Sequence, residues 1–304
     1  PSGLDAGQIL DRLAARGVIA HPFLARLYLT YGLGAPSLKA GEYEFSGKLS
    51  PVEVLDKLMR GTVVLHRVTL AEGLTLDETA SHLASAGFGE KSEFLKVMDD
   101  PGPISDLDPE ARNLEGYLFP ETYSFAKGTP EREIVRRMVD TFRKRFASAI
   151  RPQMSTGDSV HRIVVLASIV EKEAKLDGER PLIAAVYRNR LDRHMALYAD
   201  PTVIYGLELL GRYDGNLRRD DLRFDTPYNT YLHPGLPPGP ICSPGLASLR
   251  AAVNPADVPY LYFVSRNDGS HVFSRTLAEH NRNVEKWQKE YWRRRWESHR
   301  RRNR

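Results

Sequence analysis

The sequence is poor in two features that would assign it to familiar structural classes, cysteine pairs and long apolar runs. Its single cysteine, Cys242, excludes an internal disulfide and a metal site built from several cysteines. The longest largely apolar run, Ile163 to Val170, has eight residues, whereas a membrane-spanning helix needs about 20. The sequence therefore predicts no disulfide framework and no spanning segment, and cysteine usage leaves the compartment open.

An initiator methionine and a signal peptide are also missing. The sequence begins abruptly at PSGLDAG, so we expect that an N-terminal piece has been removed. Its 304 residues predict about two domains, because domains usually contain ~100–200 residues. A hydrophobic share of 41% and a charged share of 27% are typical of soluble globular proteins.

Net positive charge is found at only one end of the chain. Residues 285–304 hold nine Lys or Arg and three acidic residues, which leaves 34 basic against 36 acidic residues in the remainder. The body is therefore close to neutral, and residues 285–304 are predicted to form a basic helical tail. Such a tail is either a solvated, frayed helix or a binding segment for nucleic acid, another anionic polymer or lipid headgroups.

Three helix-start motifs recur in the N-terminal third of the chain. In each, a capping side chain is followed three positions later by Glu or Gln, as in a capping box, and a later glycine can end the helix. The three sets are Asp5, Gln8 and Gly17; Ser50, Glu53 and Gly61; and Thr75, Glu78 and Gly87. The strand-like runs GEYEFS and TVVLHRVTL lie between them. Residues 1–100 are therefore predicted to form a compact α+β module.

A proline-rich segment, DDPGPISDLDP, marks a linker after this module. A long helix is then predicted to begin near Thr129, with Val135, Met138 and Phe142 on one apolar face. A second domain is therefore placed at residues 101–284.

In the stretch VVLASIVEKEAK, acidic residues directly follow an apolar run. If residues 160–174 form a helix, Leu166, Ile169 and Val170 define its apolar stripe. Glu173 follows these residues by seven, four and three positions and therefore continues the stripe. Periodicity thus predicts that Glu173 faces inward.

A buried carboxyl can keep its proton near neutral pH, because burial raises its pKa, and it can then act as a general acid. The alternative role for Glu173 is structural, a salt bridge with Arg180 or Arg190 at the helix end. Glu171 falls nearer the edge of the stripe and is interpreted as an outer or surface group. It becomes the candidate acid if the helix phase shifts by two residues. Lys172 is predicted to face out.

Two polar-aromatic stretches follow, ADPTVIYGL and FDTPYNTYLHPGLPPGPICSPG. Compact domains rarely keep a loop as long as the second unless it builds a site. Proline and glycine fix its path, while tyrosine, asparagine and threonine offer stacking faces and hydrogen bonds, a mixture that suits a sugar or peptide cleft. Further on, PYLYFVSRNDGSHVFS predicts a hairpin that turns at residues 267–269.

Six long motifs occur in one order between about Leu114 and Asn283. They are NLEGYLFPETY, LASIVEKEA, ADPTVIYGL, TPYNTYLHPGLPPGPICSPG, LRAAVNPADVPYLYFV and GSHVFSRTLAEHN. In these motifs the sequence resembles the YceG-like family, the bacterial endolytic murein transglycosylases. The N-terminal module is similar to the LysM-like part of that family, on less specific motifs. The resemblance implies an α+β fold, with a small LysM-like module at 1–100 and a mixed α+β YceG-like catalytic domain at 101–284. It does not extend to the basic tail at 285–304, which is predicted from its composition alone.

The resemblance implies that Glu173 is the catalytic residue, in agreement with the periodicity. The family cleaves peptidoglycan between MurNAc and GlcNAc inside glycan strands, which would limit the length of nascent strands. Protonated Glu173 would donate to the glycosidic oxygen, and the C6 hydroxyl of MurNAc would then attack C1 to give a 1,6-anhydro end. An intramolecular nucleophile can replace a second carboxylate, and no metal or organic cofactor is expected.

Other residues of the matching motifs are candidates for substrate binding, each with a structural alternative. They are Tyr228, Asn229, Thr230, Tyr231, Thr202, Tyr205, Glu115 and Tyr117. The four at 228–231 could instead pack the loop, and Asp200 and Thr202 could cap a helix. The nine histidines are scattered, so His233, His271 and His280 are interpreted as structural rather than as metal ligands.

Two other functions compete with the enzyme. A non-catalytic peptidoglycan-binding or scaffold protein of the cell envelope would show the same module and cleft, but an intact glutamate at 173 favours catalysis. The second alternative, nucleic-acid binding, is indicated only by the basic tail, and no recognisable nucleic-acid-binding motif supports it.

The resemblance also sets the expected partners and location. The partners are peptidoglycan strands and, through the family, peptidoglycan synthases of the elongation or division machinery, with no nucleic acid. Family members have a single-pass inner-membrane anchor with the catalytic part in the periplasm. We expect this chain to be a soluble piece without that anchor.

Overall fold

The computed structural model describes residues 3–46, 49–291 and 293. Within those ranges, helices combine with two small antiparallel sheets, and this confirms the predicted α+β class. The helices are α1 Ala6–Ala15, α2 Pro22–Leu27, α3 Pro51–Arg60, α4 Leu76–Ser85, α5 Lys91–Met98, α6 Glu131–Ala149, α7 Val160–Glu173, α8 Arg180–Asp192, α9 Asp200–Leu209, α10 Leu246–Val253 and α11 Leu277–Val284. The strands are β1 Leu65–Thr69, β2 Thr122–Ala126, β3 Tyr262–Ser265 and β4 His271–Ser274.

The three predicted helix starts are confirmed. In α1, α3 and α4 the capping side chain accepts a hydrogen bond from the third helical amide, and the Glu or Gln at that position reaches back to the cap. The glycines that follow, Gly17, Gly61 and Gly87, have φ of 71°, 71° and 81°. This is the left-handed conformation in which glycine commonly ends a helix.

The strand predicted at GEYEFS does not form. Residues 42–46 are irregular, although Tyr43 and Phe45 do lie on one side, with ring centroids 6.2 Å apart. The neighbouring strand β1 pairs instead with β2. Leu65 lies opposite Ala126 at one end of this pairing, and Thr69 lies opposite Thr122 at the other. The alternation in GEYEFS therefore reflects two partly buried aromatic side chains that pack on the smaller core, and the segment forms no strand.

Buried apolar side chains form two separate cores in the described residues. The smaller core joins α1, α2 and α3 and includes Leu10 and Leu58. The larger core begins at Val68 in β1 and runs to Val253 in α10. Residues 65–100, which the sequence groups with the N-terminal module, therefore pack in the same core as the C-terminal part.

Helix α7 lies inside the larger core. All residues from Ile163 to Val170 are buried, and the helix packs against α8, α9 and α10. The long loop at 224–245 has neither helix nor strand, as its composition predicts. It lies against α7, where the Ile241 amide donates to the Ser168 hydroxyl at 3.0 Å. This packing fixes the position of the C-terminal end of α7.

Two further predictions from local patterns are confirmed. The long helix forms as α6, with Val135, Met138 and Phe142 buried on its predicted face. The hairpin forms as β3 and β4, and Asn267 and Gly269 in its turn have φ of 66° and 93°.

The described residues contain no helix that is both long and apolar enough to cross a bilayer. The predicted basic tail begins as a π-helical turn at Glu285–Glu290. Residue 292 and residues 294–304 of this tail lie outside the described residues.

Candidate active site

The last turn of α7 directs three successive side chains into different surroundings. Lys172 is exposed. The side chain of Glu171 is only 6% exposed and pairs with Arg180, with 3.0 Å between Oε1 and Nη2. Glu173 instead lines a cavity of about 360 Å³, which we call the Glu173 cavity. Glu173 therefore faces inward, on the side that continues the apolar stripe.

Aromatic side chains form most of the wall of the Glu173 cavity. Its other lining residues are Tyr187, Arg190, Leu197, Tyr198, Asp200, Tyr231, Tyr262, Phe263, Leu277 and His280. Tyr187 meets Phe263 edge to face at 5.9 Å between centroids, and His280 stacks on Tyr262 at 5.2 Å. Aromatic faces with a few placed polar groups are the usual lining of a small-molecule site.

The environment of Glu173 favours its protonated form. Burial raises the pKa of Glu173 to about 7; the hydrogen bond from Tyr187 opposes this rise, while the negative charge of Asp200 adds to it. In that bond the Tyr187 hydroxyl donates to Oε1 at 2.9 Å. The carboxyl also ends α7, where the helix dipole disfavours a negative charge. Such a carboxyl holds a proton near neutral pH and can donate it.

A second carboxyl group, that of Asp200, lies in the same cavity at the first residue of α9. The Tyr231 hydroxyl donates to its Oδ1 at 2.6 Å. Neither Asp200 nor Thr202 caps the helix, because the N-cap is Ala199 and it makes no side-chain capping bond. Asp200 is therefore free to act on the contents of the cavity.

Arg190 brings positive charge to the cavity without pairing with its acids. Its Nε donates to the Leu261 carbonyl at 2.7 Å and its Nη1 to the Leu197 carbonyl at 2.5 Å. Within the described residues, neither Arg190 nor Arg180 forms a salt bridge with Glu173. The structural alternative for Glu173, a salt bridge at the helix end, is therefore not what the structure shows.

Glu171 is part of a buried network. Besides the ion pair with Arg180, its Oε2 accepts the Gly245 amide at 2.9 Å. Arg180 in turn donates to the Ser248 hydroxyl at 2.9 Å and to Asp177. The network joins α7, α8 and α10, so the interpretation of Glu171 as a surface group is wrong. Its helix phase puts it at the edge of the stripe, but a tertiary partner buries it.

Among the predicted substrate-binding residues, the structure places Tyr231 in the wall of the Glu173 cavity. Thr202, Asn229 and Thr230 are buried behind the wall. The hydroxyls of Thr202 and Thr230 are 2.9 Å apart, and the Asn229 side chain donates to two main-chain carbonyls of its own loop. The two threonines therefore join the loop to α9, while Asn229 fixes the path of the loop itself.

The other four predicted residues lie away from Glu173. The Tyr205 hydroxyl donates to Oε2 of Glu115 at 3.0 Å, and Tyr228 packs on Tyr205 with centroids 4.9 Å apart. Tyr117 is fully buried and donates to Asp108. Glu115 and Tyr205 line a different cavity, and among the described residues the two cavities have no lining residue in common.

Sequence reasoning misses several residues of the Glu173 cavity, including Tyr187, Tyr198, Tyr262 and His280. The sequence contains only weak signals that these residues belong to a site. Tyr187 continues the apolar face of α8 and resembles an ordinary core residue, and Tyr262 belongs to a strand whose pattern indicates only a hairpin. Tertiary packing alone brings these side chains to Glu173.

In the part of the chain that the structure describes, no group of three or more His, Cys, Asp or Glu side chains is arranged to hold a metal ion. Of the three histidines singled out from the sequence, two contact single carboxylates: His233 meets Asp225 and His271 meets Glu179, both at 2.7 Å.

Known proteins resemble this chain along most of its length. The YceG-like family profile matches residues 1–286. An endolytic murein transglycosylase of Bacillus subtilis (strain 168) is 33% identical, over 94% of this chain and 83% of its own length. A protein of the same name from Streptococcus pneumoniae serotype 2 is 30% identical over 93% of this chain, which spans 57% of its length.

Among solved structures, the crystal structure of a yceG-like protein from Listeria monocytogenes is similar. It is 35% identical in sequence and superposes with a TM-score of 0.64, covering 93% of this chain and 96% of that one.

Proposed function

The chain belongs to the YceG-like family, and on that premise we propose that it is an endolytic murein transglycosylase, a lyase that cleaves peptidoglycan strands internally. The observation that carries the proposal is the position of the Glu173 carboxyl in an aromatic cavity, where burial raises its pKa to about 7. The relatives named endolytic murein transglycosylase support the same conclusion.

The reaction begins with proton donation. Protonated Glu173 gives its proton to the glycosidic oxygen between MurNAc and GlcNAc, and the bond from this oxygen to C1 breaks. The Tyr187 hydroxyl, already bonded to Oε1, then stabilises the carboxylate that is left. Positive charge develops on the sugar ring, and the carboxylate of Asp200, held by Tyr231, stabilises that charge.

The second step closes a ring within the substrate. The C6 hydroxyl of MurNAc attacks C1, and the Glu173 carboxylate takes the proton of that hydroxyl. A bond from C1 to the C6 oxygen replaces the broken bond, and Glu173 returns to its protonated form. The product is a 1,6-anhydro-MurNAc end, and no water is consumed.

One observation favours a second candidate reaction, hydrolysis of the same bond. Ordinary glycosidases use two carboxyl groups, and Asp200 places a second one in the Glu173 cavity. In that case Asp200 would activate a water molecule and the product would carry a reducing end. The two reactions differ in whether an oxygen atom of water enters the product.

The N-terminal part, predicted as a LysM-like module over residues 1–100, is proposed to hold glycan strands. The unit that best fits this role is residues 65–126, where β1 and β2 flank α4 and α5. Short strands around a helix pair are the arrangement that the sequence predicts for the module.

At the cellular level, the proposal places the catalytic part in the periplasm, held to the inner membrane by a single-pass anchor. Cleavage there would limit the length of nascent strands. Peptidoglycan synthases of the elongation or division machinery are the proposed partners, because they supply those strands. This assignment rests on the family resemblance.

The test is a digest of purified peptidoglycan, with the ends of the products identified by mass spectrometry. Glu173→Gln should reduce the formation of new ends at least ~100-fold, the usual contribution of a general acid or base. Glu133→Gln is the matched control, because Glu133 is exposed on α6 and the same carboxyl group is replaced by an amide. Full cleavage by folded Glu173→Gln would overturn the role of this residue. Failure of the folded native chain to cleave strands that it binds would favour the scaffold function.

A further inference from the structure

The cavity that Glu115 and Tyr205 line carries negative charge that the chemistry of Glu173 does not use. This cavity, called here the acidic cavity, has a volume of about 750 Å³ and lies between the start of α4, α5 and the end of α9. Its charged lining residues are Asp77, Glu78, Asp99, Glu115, Glu208 and Lys96. Five acids face one lysine, so the cavity attracts cations.

Neighbouring cations neutralise only part of this charge. Asp77 pairs with Lys91 at 2.7 Å. The one lysine of the lining, Lys96, pairs at 2.7 Å with Glu93, which does not line the cavity. The other acidic lining residues form no ion pair within the described part of the chain. Partial burial raises the pKa of Glu208; the negative charges of Glu78 and Asp77 add to this rise, and the positive charge of Lys172 opposes it.

A buried oxygen atom in this cavity lacks a hydrogen-bond partner. Glu115 is only 3% exposed, and its Oε2 accepts from the Leu76 amide at 3.1 Å and from the Tyr205 hydroxyl at 3.0 Å. Its Oε1 has no hydrogen-bond partner among the described residues. Buried carboxyl oxygens are normally satisfied, so Oε1 lacks a hydrogen-bond donor when Glu115 is ionised.

We propose that the acidic cavity binds a primary ammonium group on an alkyl stem, with Oε1 of Glu115 as its innermost acceptor. An ammonium has three donors and no acceptor, which matches a lining rich in carboxylates. Apolar side chains line the cavity as well and would contact the stem; they are Leu76, Leu95, Leu209 and Tyr213. A bound cation would also favour the ionised form of Glu115, whose pKa burial raises to about 7.

Two sources carry this chemistry, a free alkyl diamine and the amine-bearing side chain of a peptide. Only the second rests on the proposed function, through the peptides of peptidoglycan. The two are distinguished with cadaverine, a free diamine, and with acetyl-lysine methylamide, which presents the same amine on a peptide-like backbone. Pentanol has a similar stem without the charge and serves as the neutral comparison.

The experiment is calorimetric titration of the full chain at pH about 8, where the amines are charged and Glu115 is ionised. We expect saturable one-to-one binding of an amine and none of pentanol. Glu115→Gln should weaken amine binding about tenfold or more, because it removes a charge-assisted hydrogen bond. Tighter binding of cadaverine would identify the free diamine, and tighter binding of acetyl-lysine methylamide would identify the peptide.

Control variants keep the result interpretable. Glu208→Gln should also weaken amine binding. Because Glu208 is an exposed residue of the lining, this variant tests the cavity without a substitution in the protein interior. Glu133→Gln changes the same charge on the surface of α6 and should leave binding unchanged. Glu173→Gln should bind the amine normally whether or not it cleaves glycan, which separates this proposal from the enzymatic one. No saturable amine binding, equal binding of pentanol, or equal weakening by Glu133→Gln would overturn it.

Discussion

The proton of Glu173 is controlled by residues that are distant in sequence. Tyr187 on α8 donates a hydrogen bond to the carboxyl, and Asp200 on α9 repels its negative charge. The two neighbours act in opposite directions on one pKa, because a donor stabilises the ionised form and a like charge destabilises it. Their separate effects can therefore be measured on the same reaction.

The pH profile of cleavage should follow the protonation of Glu173. A general acid with a pKa of about 7 loses activity as pH rises above that value, by about tenfold per unit. Tyr187→Phe removes the bond that lowers the pKa and should move this decline to higher pH. Asp200→Asn removes the charge that raises the pKa and should move it to lower pH. The rate of formation of new glycan ends against pH measures both shifts.

Shifts of these two variants in the same direction would contradict this account of the cavity. Glu133→Gln should keep the native profile, which excludes a general effect of net charge.

Glu115 should make stability depend on pH. Its pKa is raised from 4.5 to about 7 in the folded state, so between these values the native chain binds more protons than the unfolded chain. Stability therefore falls as pH rises through this window, by roughly 3 kcal/mol from this group. Urea unfolding at pH about 5 and about 8 should show that Glu115→Gln gains this amount relative to the native chain. An equal difference between the two proteins at both pH values would show that Glu115 is not buried as a protonated acid.

The inward position of Glu173 could be predicted because it depends on local helix phase alone. The surroundings of Glu171 could not be predicted in this way. Its partners, Arg180 and the Gly245 amide, come from α8 and from the residue before α10, and no local spacing connects them. Asp200 was equally hidden, because an acid at a helix start is common for reasons of capping and dipole alone.

At the scale of elements, α7 and the segment that contains Glu115 are held together by a close backbone approach. Gly116 has φ of 89°. A β-carbon at Gly116 would lie 2.6 Å from Cβ of Pro240 and 2.9 Å from Cγ1 of Val164. The segment, the long loop and α7 therefore meet at a point with no room for a methyl group.

Gly116→Ala should destabilise the fold by about 2–5 kcal/mol, from left-handed strain and overpacking together. Gly128→Ala is the matched control, because Gly128 has φ of 78° and its β-carbon would meet nothing within 4 Å. That variant should lose only about 1–2 kcal/mol. Denaturant unfolding compares the two, and equal losses would show that the contact at Gly116 is unimportant.

Elements that are defined by local chemistry were predictable, and pairing between elements was not. Capping boxes and terminal glycines indicate α1, α3 and α4 because the hydrogen bonds join residues only three apart. The alternation in GEYEFS predicted a strand that is absent, since β1 pairs instead with β2. More than 50 residues separate Leu65 from its partner Ala126, and no short-range pattern identifies such a partner.

At the scale of the whole molecule, the two cores suggest two units of stability. The smaller core contains Leu55, which is fully buried between α3 and its neighbours. The residues that line the Glu173 cavity all lie outside the smaller core. Damage to the small core should therefore remain local.

Leu55→Ala should destabilise residues 3–60 by about 2–5 kcal/mol through the cavity it creates. Amide hydrogen exchange should speed up in α1 and α3 and stay unchanged in α7. Phe142→Ala, in the larger core, provides the reverse comparison and should speed up exchange in α7. Faster exchange in α7 after Leu55→Ala would mean that the two cores unfold as one unit.

Motifs and packing divide the chain at different places. The matching motifs begin near Leu114, but the larger core begins at Val68 and the family match covers residues 1–286. Functional motifs reflect the chemistry of a site, whereas core boundaries reflect apolar contacts between distant segments. The sequence therefore predicted the family and the inward position of Glu173 more fully than the boundary between the structural units.

The measurement that tests the account most directly is a peptidoglycan digest in water labelled with heavy oxygen. If Glu173 acts alone as acid and base and the C6 hydroxyl is the nucleophile, the new MurNAc ends are 1,6-anhydro and contain no heavy oxygen. Glu173→Gln should then form few such ends, while Asp200→Asn should form the same unlabelled product more slowly. Heavy oxygen in reducing ends made by the native chain, and its loss in Asp200→Asn, would contradict the account and establish hydrolysis by two carboxyl groups.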